Sequence, residues 1–179
     1  MVFTPAKYPL KKYLAWLPAL AAAIAIFAFS SQPADDSTYM SESITQIILE
    51  IANQVRMIDL HNLDLVELYM SLSVPVRKSA HIIEFAGLHV TLLYALHVWD
   101  MRGKPWIRRA FLLAFFYACS DELHQLFVPG RAGLFSDVII DMMGVSLITL
   151  VLRAILIRKE RLKNHGNQQQ DIQPHLKSS

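Results

Sequence analysis

The placement of charge constrains this sequence more than any other feature. Residues 13–34, 85–99, 110–120 and 142–152 contain no Asp, Glu, Lys or Arg. A charge inside hydrocarbon costs roughly 2.5–3.5 kcal/mol on insertion scales, and a lipid-exposed backbone must satisfy its own hydrogen bonds, which a helix does. The 179 residues are 54% hydrophobic and 18% charged, more apolar than a soluble domain of this length. The chain therefore reads as an all-α polytopic membrane protein with four transmembrane helices.

A span needs roughly 20 apolar residues. The first is predicted over Tyr13–Ser30 behind Lys7, Lys11 and Lys12. The same basic start and apolar centre would suit a secretory signal, with Ala28 and Ser30 imitating a cleavage site. The second span is expected to open at Pro75 after a Ser73 cap and to run to Trp99 before Gly103 and Pro105. The third runs from about Pro105 to Val128 and stops at Pro129-Gly130. The fourth opens at Ser136, with Phe135 and Ile140 spaced like a hydrophobic staple, and ends near Ile157.

The N-terminus, the Arg102–Arg109 connection and the tail after Arg153 are basic, whereas the connection after the first span carries Asp35, Asp36, Glu42, Glu50, Asp59, Asp64 and Glu67 against Arg56. The positive-inside rule then places both termini in the cytoplasm and the acidic connection outside. Trp16, Trp99 and Trp106 fall near the inner interface. Within the outer connection, Met40, Ile44, Ile47, Ile48, Ile51, Val55 and Ile58 recur at helical spacing. They predict an amphipathic helix, either lying on the membrane surface or capping the bundle. Residues 1–163 form one domain in this reading, and the polar, Gln-rich 164–179 is predicted to be a disordered cytoplasmic tail. Cys119 is a single thiol inside an apolar run and implies no intrachain disulfide. The scattered cations suit membrane topology, so no nucleic-acid partner is expected.

In that topology the ionisable residues within or beside the spans share the outer half. They are Arg77, Lys78, His81, Glu84, Asp121, Glu122, His124, Gln125, Arg131, Asp137 and Asp141. His81 and Glu84, Asp121 with His124 and Gln125, and Asp137 with Asp141 are each three or four apart, so each helix presents a polar stripe. Gly144, one turn beyond Asp141, offers a close helix approach on that face. Three readings remain open. In the first the cations only neutralise carboxylates in a structural network; in the second His81 or His124, oriented by Glu84 or Asp121, acts as general acid or base on a lipid-linked group; in the third the cluster binds a ligand or relays protons. Lys78, Glu122, Gln125, Arg131, Asp137 and Asp141 are the expected binding residues. Glu122 lies about 100° around the helix from Asp121, so it pairs with Arg131 or lines the rim. Neither CxxC nor HExxH is present, and the metal, cofactor and oligomeric state are left open. His89 and His97 read as packing or interface residues.

The segments RKSAHIIEFAGL (Arg77–Leu88), SDELHQLFVPGRAGLFSDVIIDMMG (Ser120–Gly144) and SSQP (Ser30–Pro33) resemble the VanZ-like family pattern in order and spacing. Family-like positions are Ser31, Gln32, Lys78, His81, Glu84, Ser120, Asp121, Glu122, His124, Gln125, Arg131, Asp137, Asp141 and Gly144. Phe85 stands where related sequences often carry tyrosine, and Ala132–Phe135 replaces a stretch that is often more polar. The resemblance implies a bacterial inner-membrane protein of the cell envelope and low-level resistance to teicoplanin-type glycopeptides. Its expected partners are membrane lipids and a lipid-linked envelope precursor or glycopeptide. The resemblance supplies no reaction.

Overall fold

A computed structural model describes residues 10–55 and 64–176, the side chains of 65 and 165–176 excepted. Lys7, Arg56, Ile58 and Asp59, used in the reading above, lie outside the described residues. The elements are α1 (Leu10–Leu14), α2 (Leu17–Ser30), α3 (Ala34–Gln54), α4 (Leu65–Val98), α5 (Gly103–Gln125) and α6 (Phe135–Leu176). There is no strand among the described residues. Three segments are long and apolar enough to cross a membrane: Leu10–Ser30, Val66–Val98 and Phe135–Asn164. The first joins α1 and α2 across a tight turn at Ala15-Trp16, where Pro18 falls in the opening turn of α2. Among the described residues α5 does not meet that criterion, because Lys104, Arg108, Arg109, Asp121 and Glu122 load both of its ends.

The helices run up and down between two ends. At one end Lys12 pairs with Asp100 (2.6 Å), Trp99 Nε1 donates to the Lys12 carbonyl (2.8 Å), and Trp106 Nε1 donates to the Leu93 carbonyl (2.8 Å). That hydrogen bond to Lys12, and the neighbouring Arg102, hold the exposed Asp100 carboxyl below the usual carboxylate range. At the other end Ser30, Gln125 and the start of α6 converge. The core between the ends is built from Ile26, Phe85, Leu88, Leu92, Ala110, Ala114, Ala118 and Val145, all buried. α4 is the hub and touches α2, α3, α5 and α6. Gly144 is where α6 meets α4 most closely, since a Cβ there would lie 2.5 Å from the Ile82 carbonyl and 2.9 Å from Ala86 Cβ. The absence of a side chain permits the approach expected of that glycine.

Four boundaries differ from the sequence reading. α4 starts ten residues before Pro75, capped by Asp64, whose carboxylate accepts from the amides of Val66 and Glu67. Pro75 is interior, and Ser73 turns back to the Met70 carbonyl instead of capping. The proline forfeits one hydrogen bond, which the long flanking helix absorbs. α5 ends at Gln125, before Val128, and a turn covers Leu126–Val128. α6 opens at Phe135, which is inside the helix and exposed, so it forms no staple with Ile140. α6 also runs past Ile157 to Leu176, into the segment expected to lack structure. Arg158 to Lys163 are strong helix formers that offer no stop.

α3 does not pack its isoleucine face on the bundle, as the capping alternative would require. It packs on α4, and its buried residues are Ser37, Ser41, Thr45 and Leu49, while Ile44, Ile47, Ile48, Ile51 and Val55 are exposed. Ser41 and Thr45 donate to the carbonyls of Ser37 and Ser41, so the small polar face is satisfied within the helix and can be buried.

Candidate functional site

The polar residues predicted to converge do so at the Ser30 end, but they divide into two groups. One is a sealed network between α2 and α5. Asp121, 3% exposed, accepts from Ser30 Oγ (2.7 Å) and Gln125 Nε2 (3.2 Å). Ser31 Oγ lies 3.1 Å from His124 Nε2, and the His124 ring sits 4.5 Å from that of Phe27. Asp121, His124 and Gln125 share a face as the spacing implied, and all three meet the Ser30-Ser31 end of α2. Ser30 was not singled out from the sequence as a partner, although it opens the SSQP segment.

The second group surrounds a cavity of about 350 Å³ lined by Arg77, Lys78, His81, Glu122, Gln125, Arg131, Asp137 and Asp141, with Ala34, Thr38 and Gly130 at its edge. α4 supplies the adjacent Arg77 and Lys78 and, about one turn further on, His81. α6 supplies Asp137 and Asp141, four apart on one face. Lys78 Nζ lies 3.4 Å from Asp137, and His81 Nδ1 lies 3.7 Å from Asp141 and 3.9 Å from Glu84. Glu84 and Asp121 do not line the cavity. Glu122 lines it and accepts from the Leu134 amide (2.9 Å), so it holds the α5–α6 loop instead of pairing with Arg131.

That loop is shaped for the purpose. Gly130 adopts φ +73° and abuts Ala34 Cβ, and the Ala34 amide donates to the Pro129 carbonyl (3.2 Å). Arg131 Nε donates to the Gln32 carbonyl (3.2 Å), which ties the α2–α3 connection to the loop. A side chain at Gly133 would collide with the Glu122 carbonyl, so the chain can pass close to α5 only with glycine there.

The electrostatics of the cavity are unbalanced at its cationic side. Arg77 forms no hydrogen bond or ion pair with another described residue. Burial lowers the pKa of the Arg131 guanidinium and nearby Arg77 lowers it further, while Asp121, Glu122 and Asp137 oppose both. Arg131 stays charged at physiological pH regardless. Deeper in, His81 Nδ1 and Asp141 Oδ2 are buried without a hydrogen-bond partner. Buried polar atoms left unpaired mark a place where an additional group completes the hydrogen bonding. No cluster of three His, Cys, Asp or Glu with metal-holding geometry occurs among the described residues. His89, fully buried, meets Thr149 Oγ1 at 3.1 Å, and His97 packs on Trp106 at 5.5 Å.

Apolar helices of spanning length around a polar cavity define a helical membrane protein. The family model VanZ/LLP1 matches residues 15–157, which include every cavity residue, and the chain belongs to that family. Neither the curated proteins nor the solved structures include a match.

Proposed function

We propose that this chain is a four-crossing protein of the bacterial inner membrane whose cavity faces outward and binds the phosphate-bearing head of an envelope lipid or lipid-linked precursor. The observation that carries this reading is the pair of guanidinium groups, Arg77 from α4 and Arg131 from the α5–α6 loop, that line the cavity with no carboxylate of the described residues bonded to either. Arginine presents a planar fork of donors that matches a phosphate. α5 makes the fourth crossing because it returns the chain from the Trp99 end to the cavity end between α4 and α6. The basic 102–109 connection and the tail lie at the opposite end from the cavity, which supports cytoplasmic termini. The membrane domain covers 1–163, and 164–179 is its cytoplasmic extension.

His81 and Asp141 are the residues for proton handling if the bound group is also modified. His81 Nδ1 and Asp141 Oδ2 are unpartnered, and His81 Nδ1 lies 3.7 Å from the other Asp141 oxygen, Oδ1; histidine oriented by a carboxylate is suited to general acid–base transfer. Glu84 flanks the pair, while Asp121 and His124 hold α2 against α5.

The experiment is teicoplanin susceptibility of a sensitive bacterial host expressing wild type, Arg77→Ala, His81→Ala or Asp141→Asn, with membrane abundance measured in the same cultures. Protection lost at unchanged abundance is the expected result. Protection retained by all three variants overturns the assigned site.

A further inference from the structure

A second groove starts at the opposite end of the bundle from the cavity and runs along the α5–α6 side, and it has two chemically distinct parts. Its polar end is a cavity of about 450 Å³ bordered by Lys104, Arg108 and Arg153, with Thr149 at its wall and no acidic residue in the lining. None of the three cations forms an ion pair or hydrogen bond with another described residue. A salt-bridge network would place carboxylates among them; here the like charges face one space.

The second part begins where the first ends. Phe111 borders both, and from it an apolar groove of about 530 Å³ continues between α5 and α6, lined by Phe115, Met143, Leu147 and Leu150. Ser146 is the one polar side chain there. On α6 the groove extends from Leu150 back to Phe135, which is about 22 Å at 1.5 Å per residue. One leaflet of a bilayer contributes about 15 Å of hydrocarbon. The groove is therefore long enough to take the full depth of one leaflet's acyl chain.

We infer that this is a binding groove for an anionic phospholipid, its phosphate between Lys104, Arg108 and Arg153 and one acyl chain along Phe111, Phe115, Leu147 and Leu150. The opening turn of α5 adds to the attraction, because Lys104 and Pro105 border the head end and the N-terminus of this 23-residue helix carries partial positive charge. A free anion would need only the cationic end; the continuous apolar half is what selects a lipid. Basic residues that merely obeyed the topology rule would not need to border a cavity that opens into an acyl-sized groove.

The test uses the full chain in detergent, with thermal stability and native mass spectrometry read against phosphatidylglycerol, phosphatidylcholine and inorganic phosphate. Phosphatidylglycerol is expected to remain bound and to raise Tm, and the other two to do neither. At roughly a fivefold effect per cation, Lys104→Gln/Arg108→Gln/Arg153→Gln together should weaken retention about a hundredfold. The tail variant Arg158→Gln/Lys159→Gln/Arg161→Gln, with the same loss of charge, should not. Leu147→Trp, which fills the apolar half and keeps every cation, should abolish lipid retention and provides the readout if the triple variant folds poorly. Equal effects of phosphatidylcholine and phosphatidylglycerol, equal effects of inorganic phosphate, or full retention in both the triple and the Leu147→Trp variants would each overturn the inference.

Discussion

Replacing Gly144 by alanine adds one methyl group at the tightest point between α4 and α6. The new Cβ would lie 2.5 Å from the Ile82 carbonyl, against 3.4 Å for ordinary contact, a shortfall of about 0.9 Å. That neighbour is backbone and cannot rotate away, so the two helices must separate by nearly that amount. Overpacking of this kind costs about 1–3 kcal/mol. At about 2–4 °C per kcal/mol for a chain of this size, Tm should fall by roughly 2–12 °C. Asp141 lies three residues before Gly144, so the same displacement stretches the 3.7 Å His81–Asp141 separation beyond ion-pair reach. Gly87→Ala is the internal control. Its Cβ meets nothing within 4 Å, and alanine gains up to about 1 kcal/mol of helix propensity. Thermal unfolding of both variants in one detergent is the assay. Equal Tm values for Gly144→Ala and Gly87→Ala would refute the close approach of α4 and α6 and the argument built on it.

Asp121→Ala should lower stability by roughly 1–3 kcal/mol, because Ser30 and Gln125 lose the buried acceptor they share; a thermal shift and reduced membrane abundance would show it, and wild-type values would count against a packing role. Phe127→Ser, at a position 80% exposed in the α5–α6 turn, should leave Tm unchanged in detergent, since it removes no buried contact. The Asp100 carboxyl should titrate below about 3.9 in an NMR series and return toward that value in Lys12→Ala. With its folded pKa depressed, the pair contributes above the unfolded value and is lost as pH falls through the folded one. Its contribution is small because Asp100 is fully exposed.

Three of the four expected spans were legible because charge-free stretches leave few alternatives, and α2 and the apolar part of α6 fall where hydropathy places them. The start of α4 was not read because Pro75 looked like an opening residue, although Asp64 and Glu67 have the spacing of a cap with an acid at the third helical position. α3 was legible as a helix but not in its orientation. Isoleucine periodicity marks an apolar face without saying whether that face meets protein, and here self-satisfied serine and threonine hydroxyls take the buried side. At the site, spacing found the faces of α4 and α6 that meet at the cavity. It could not separate Asp121 from them, because the deciding partner, Ser30, is 91 residues away in sequence. Lys104, Arg108 and Arg153 were read only as topology markers, since a groove between two helices leaves no periodic trace.

α5 bears on how the molecule is made. It is charged at both ends, and its buried stripe is Ala110, Ala114 and Ala118, among the least apolar side chains that could fill it. In the proposed four-crossing arrangement the five charges at its two ends oppose its partitioning alone into lipid from the insertion machinery. Its carboxylates are masked only when α2 and the α5–α6 loop are already beside it. Insertion of α5 is then a late, cooperative event, and a nascent chain halted before α6 emerges would leave α5 accessible to water-soluble thiol reagents at Cys119.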